Sequence, residues 1–143
     1  MRQPSKQLAK LHAQGEKAGA YLYDFTLEFP IHHNKIAWHC SDIPFFFHNV
    51  DLVEVCQIPE VGERLQSQIF EAFMAFAKTG TPQSDKLPVW EAVTTEKEPT
   101  MIFDRECELR YNFDDKLYEK IDSILPPFDF MKMMNSDENK VQH

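Results

Sequence analysis

The chain has 143 residues, of which 43% are hydrophobic, and a formal net charge of −8. That size and apolar content point to one globular domain. The acidic balance, without clustered Lys and Arg, excludes phosphate-driven binding to nucleic acid. No apolar run reaches the ~20 residues of a membrane-spanning helix, and residues 1–6 do not lead into the apolar core of a signal peptide.

Residues 5–17 are rich in Ala, Gln and Lys, with Leu8, Leu11 and Ala18 near helical spacing. The spacing predicts a short helix closed by Gly15 or Gly19. In residues 20–27, Tyr21, Tyr23, Phe25 and Leu27 alternate with Asp24 and Thr26. Aromatics at period two predict a strand. Residues 28–35 read as loop, because Pro30 cannot continue a central strand. His39 then falls beyond the C-terminal end of that strand, where open α/β sheets place their chemistry.

Residues 50–59 carry no clear period. A helix is predicted from Glu60 or Gly62 to about Lys78. Leu65, Ile69, Phe73 and Phe76 form its apolar stripe, widened by Phe70, Met74 and Ala77. A face that broad calls for cover on more than one side. Gly80 ends the helix. Residues 81–99 hold Pro82, Pro88 and Pro99 and read as a long surface connection anchored by Trp90. Residues 100–104 and 107–113 read as two short strands joined at Asp104-Arg105-Glu106, an antiparallel hairpin. Asp114 is placed to cap a final helix through Ile124, stopped by Pro126 and Pro127. Residues 135–143 form a polar tail.

Cys40, Cys56 and Cys107 are odd in number and widely spaced. They form neither a disulfide framework nor a zinc-binding pair, and unpaired thiols point to a reducing, cytoplasmic compartment. His32, His33, His39, Cys40 and His48 crowd one segment but lack the spacing of a structural zinc site. We therefore expect no metal and no cofactor. Ser41, beside His39, lacks the strained elbow that presents a nucleophilic serine.

The segment Ala37-Trp38-His39-Cys40-Ser41-Asp42-Ile43-Pro44-Phe45-Phe46-Phe47-His48-Asn49 resembles the catalytic-histidine segment of the type-B carboxylesterases, para-nitrobenzyl-esterase-like members of the α/β-hydrolases. Residues 20–25 (Ala-Tyr-Leu-Tyr-Asp-Phe) resemble the strand that precedes that histidine. Residues 73–82 (Phe-Met-Ala-Phe-Ala-Lys-Thr-Gly-Thr-Pro) resemble a helix end of the family. Leu87-Pro88-Val89-Trp90 and residues 99–104 resemble its next loop and strand. The blocks stand in family order over about residues 5–125.

The resemblance implies an α/β chain that is the C-terminal portion of an α/β-hydrolase fold. Helix, strand, histidine loop, long helix, antiparallel hairpin and final helix would leave its sheet incomplete in isolation. Residues 1–134 would form that part of the domain. His39 would be the general base of the complete enzyme and Asp42 a support of its loop. Phe45, Phe46 and Phe47 would pack beneath the loop and limit water access. The triad runs Ser, acid, His along such chains, and neither Gly-x-Ser-x-Gly nor an oxyanion loop occurs among four glycines. The implied chain is inactive alone. Its expected partner is the missing N-terminal esterase portion, or another copy of itself, with an ester as substrate only in the complete enzyme. A non-catalytic binding or self-assembly module derived from an esterase is the competing reading. It is motivated by Ile36, Cys40 and His48, which stand where the family usually has glycine.

Overall fold

A computed structural model describes residues 2–15, 18–31 and 33–124. Among these residues, four helices and three strands run in the order α1 (Arg2–Ala13), β1 (Leu22–Phe25), α2 (Ile43–Phe46), α3 (Gly62–Thr79), β2 (Pro99–Phe103), β3 (Glu108–Tyr111) and α4 (Asp115–Ile124). Two 3-10 turns, Val50–Leu52 and Glu54–Cys56, fill the stretch whose sequence has no period. The chain divides into two compact units, residues 1–112 and 113–143. The second unit contributes α4, which starts one residue after Asp114 as expected. The predicted stop at Pro126-Pro127 and the tail at 135–143 lie outside the described residues.

In the first unit the sheet order is β1-β2-β3. β1 pairs parallel with β2, from Leu22 opposite Thr100 to Phe25 opposite Phe103. β2 pairs antiparallel with β3, from Pro99 opposite Tyr111 to Ile102 opposite Glu108. β2 is therefore central, and all five of its residues are buried. A strand buried on both faces reads as a continuous run rather than an alternation, and Pro-Thr-Met-Ile-Phe is such a run.

Side chains alternate between the two faces of a strand. Tyr21, Tyr23 and Phe25 face α2 and α3. Their rings meet Phe76 at 5.9 Å, Phe46 at 5.1 Å and Phe45 at 5.2 Å. Leu65, Ile69 and Ala72 of α3 join Met101 and Phe103 in the same core. Asp24 and Glu98 lie on the other face, toward α1. Arg2 reaches Asp24 at 3.2 Å, while Lys6 and Lys10 reach Glu98 at 2.6 and 3.0 Å. Glu98 is 1% exposed and Lys6 8%. Stripping one partner from a buried ion pair costs on the order of 3–5 kcal/mol, so these charges hold α1 to the sheet.

α1 begins earlier than its sequence suggests and ends at the first of the two glycines expected to close it. Pro4 is admitted because the first helical turn needs no N–H donor there. At the other end the Gln14 and Gly15 amides turn back to the Leu11 and His12 carbonyls, closing the helix before Gly15; Gly19 is not its cap. Gly80 does end α3, at φ 76, with its N–H on the Phe76 carbonyl at 2.8 Å. Trp90 is buried and its indole N–H donates to the Leu22 carbonyl at 3.1 Å, anchoring the long connection to β1.

The breadth of the α3 face is only partly matched by cover. Its N-terminal half is buried, whereas Phe76 is exposed and Phe70, Phe73 and Met74 are half-buried. At its start, α3 packs so closely on the preceding 3-10 turn that a Cβ on Gly62 would sit 2.3 Å from the Cys56 carbonyl oxygen. Overpacking of this kind costs about 1–3 kcal/mol. Gly62→Ala is accordingly expected to lower the thermal midpoint by that equivalent in a denaturation scan, and an unchanged midpoint would contradict the packing.

Candidate active-site histidine loop

The path from β1 to the histidine is fixed by a small hairpin. The Phe29 N–H donates to the Lys35 carbonyl at 2.9 Å, and His33 and Asn34 at its tip adopt φ 64 and 63. Phe29 is fully buried and its ring lies 4.6 Å from that of Trp38. Lys35 sits over the Trp38 ring at 4.8 Å. Trp38 thus tethers the residue next to His39.

Residues 38–41 form a tight turn. The Ser41 N–H donates to the Trp38 carbonyl at 3.1 Å, and the Trp38 N–H donates back to Ser41 Oγ at 3.2 Å. His39 and Cys40 are the two central residues, and Cys40 has φ 68. A positive φ at the third position is the demand of a type II turn, normally met by glycine. His39 is displayed on the outside of this turn, exposed to solvent. Ser41 is 5% exposed, and its hydroxyl is occupied within the turn.

α2 follows as a single turn. Asp42 occupies its N-cap position without a side-chain cap bond. Its carboxylate instead accepts a hydrogen bond from the Tyr23 hydroxyl at 2.8 Å. This contact ties the histidine loop to β1. Burial first, and then the hydrogen bond and charge of Asp42, push the Tyr23 hydroxyl above its ordinary range. At the other end of α2, the Phe47 N–H bonds to the Ile43 carbonyl and the Asn49 N–H to the Pro44 carbonyl. His48 between them has φ 56. That is a Schellman closure, whose left-handed position usually holds glycine.

Of the three phenylalanines, Phe45 is fully buried and Phe46 packs on Phe73 and Phe103 at 5.6 and 6.2 Å. Phe47 departs from the expected packing. It is 63% exposed, because a one-turn helix directs only two successive side chains inward. Ile36 is exposed and has no positive φ, so its backbone does not ask for glycine. Around the loop, Tyr23, Asp24, Trp38, His39 and Asp42 line a cavity of about 520 Å³.

The profile of the carboxylesterase family matches residues 1–121. This chain belongs to the carboxylesterase family. The para-nitrobenzyl esterase of Bacillus subtilis (strain 168) is 27% identical over 117 residues, covering 80% of this chain and 24% of that protein. The phenmedipham hydrolase of Pseudarthrobacter oxydans is 35% identical over 75 residues, 48% of this chain and 15% of that one. Among solved structures, an esterase from Clostridium hathewayi that hydrolyses aliphatic aromatic polyesters superposes with a TM-score of 0.81 at 46% identity, over 87% of this chain and 25% of its own. A thermophilic para-nitrobenzyl esterase gives 0.73 at 26% identity, over 82% and 24%. The chain therefore spans about a quarter of such relatives. Its small mixed sheet with helices on both faces is part of the α/β-hydrolase fold of these esterases. No helix among the described residues is long and apolar enough to cross a membrane.

The left-handed residues of the loop predict a stability gain. A side chain in that region costs about 1–2 kcal/mol, partly offset by the extra chain entropy that glycine loses on folding. Cys40→Gly and His48→Gly are each expected to stabilise the chain by about 0.5–1 kcal/mol, read by urea denaturation. A loss of stability in both would contradict the turn assignments.

The Tyr23–Asp42 contact predicts a pH dependence. A hydroxyl held above its ordinary range contributes stability that is fully present below pH ~10, where the unfolded chain's tyrosine titrates, and that is lost as pH rises beyond it. Tyr23→Phe should cost about 1 kcal/mol at neutral pH and flatten the alkaline decline. An identical alkaline profile in the variant would show that the bond does not hold the loop.

Proposed function

We propose that this chain acts as the C-terminal part of a serine carboxylesterase, supplying the histidine of its catalytic triad, and that it is inactive alone. The observation that carries this reading is the placement of His39. It sits exposed at the head of a closed turn beyond β1, in a chain that spans a quarter of its esterase relatives.

In the complete domain, a serine from the remaining portion attacks the ester carbonyl. Imidazole suits the base because its ordinary pKa of about 6.5 lies near neutrality. His39 takes the serine proton and returns it to the departing alcohol. The triad acid comes from the earlier part of the domain, in the order Ser, acid, His. Asp42 does not fill that role. Its carboxylate is engaged by Tyr23, which supports a part in holding the loop. Phe45 and Phe46 form the floor beneath the loop, and ester hydrolysis of this kind uses no cofactor.

A second reading, a non-catalytic binding or self-assembly module, is favoured by the exposed apolar side chains of α1, α2 and α3. Activity separates the two only when the missing portion is supplied, but activity of the chain alone tests the first directly. Without its nucleophile, a triad enzyme loses on the order of 10⁶ in turnover. Incubated alone with p-nitrophenyl acetate, the chain should show no serine-type turnover. Burst kinetics that disappear in His39→Ala would refute the assignment of the nucleophile to another segment.

A further inference from the structure

A histidine that returns a proton to a departing alcohol must stand within about 3 Å of that alcohol's oxygen. The alcohol half of the ester then rests against the side chains that flank the imidazole. The acyl half lies across the scissile bond from it. If His39 is the histidine, the leaving group is the half of the substrate that this chain meets most closely.

The residues beside His39 offer unequal surfaces to such a group. The Ser41 hydroxyl is taken up within the turn, and the Asp42 carboxylate is engaged by Tyr23. Trp38 is different. It is 38% exposed, and it lines the same cavity of about 520 Å³ as His39. Its ring is held by Phe29 at 4.6 Å and by Lys35 at 4.8 Å, and neither of those residues lines that cavity. Its backbone N–H and carbonyl are both bonded to Ser41, at 3.2 and 3.1 Å. The indole is therefore a fixed, partly open aromatic surface one residue from the imidazole. A surface of that kind recognises flat apolar groups at little cost in entropy.

We propose that Trp38 is a specificity-determining residue, the aromatic wall against which the alcohol half of the ester lies, and that it favours esters of benzyl-type alcohols over those of short aliphatic ones. The proposal rests on the reading of His39 as the triad histidine. An aromatic pair contributes a factor of about two to ten beyond the burial of area. That factor falls on the alcohol half alone.

The test joins the full 143-residue chain to the part of the Clostridium hathewayi esterase that precedes the matched stretch, in place of that enzyme's own last quarter. Where the fusion does not fold, the two parts are co-expressed as separate chains; the parent esterase is the control in each format. Two ratios of kcat/KM are measured, benzyl acetate over ethyl acetate and ethyl benzoate over ethyl acetate. Trp38→Leu is expected to lower the first ratio by about two- to tenfold and to leave the second unchanged. Trp38→Phe should keep most of the first ratio. A tryptophan that only tethers His39 would lower the activity toward all three esters alike and keep both ratios, and that result overturns the proposal. A fall in the second ratio alone overturns it as well, by placing the ring on the acyl side. A folded assembly that unfolds cooperatively yet hydrolyses none of the three esters overturns the esterase reading, and the proposal falls with it.

Discussion

The first unit is arranged around a strand that, among the described residues, is paired along one edge only. β1 supplies the aromatic face on which α2 and α3 rest, the tyrosine that grips the histidine loop, and the carbonyl that anchors Trp90. Its parallel bond to β2 fixes its register. Among the described residues no strand covers the other edge. An isolated globular domain avoids such an edge because it invites pairing with other chains. A segment of a larger sheet has no reason to avoid it. The half-covered α3 face follows the same logic. The end of the helix near the core is sealed, and the end near the open edge is not.

The histidine loop closes two turns of a kind that favours glycine without using glycine. Two positions that require positive φ, Cys40 in the turn and His48 at the end of α2, carry side chains rather than glycine. Each turn is still closed by its backbone hydrogen bonds. Neighbouring contacts offset the strain. The Trp38 ring lies 4.6 Å from Phe29 beside the first, and the His48 ring lies 4.9 Å from Phe70 at the second. His39 keeps its exposed place on the turn.

Much of this was legible in the residues. The aromatic alternation of Tyr21, Tyr23 and Phe25 marks β1, Gly80 marks the end of α3, and Asp104-Arg105-Glu106 marks the hairpin corner. Local signals of this kind are carried by period and turn chemistry. The start of α1 was not, because a proline in the first turn looks like a breaker from sequence alone. Tyr23 as a partner of Asp42 was hidden for a different reason. The two are 19 positions apart, and only the pairing of β1 with β2 and the packing of α2 bring them together. The Lys6–Glu98 pair is hidden in the same way. Its lysine reads as a solvated helix residue and its glutamate as part of a charged surface connection. The exposure of Phe47 depends on α2 being a single turn, which the run of three phenylalanines does not reveal.

The open edge is tested most directly by amide hydrogen exchange on the 143-residue chain under conditions where it is monomeric. The account predicts an alternation along β1, with the Asp24 and Thr26 amides protected by β2 and the Tyr23 and Phe25 amides exchanging at close to solvent rates. Equal protection of all four would mean that the edge is already covered, and would contradict the claim that it is unpaired.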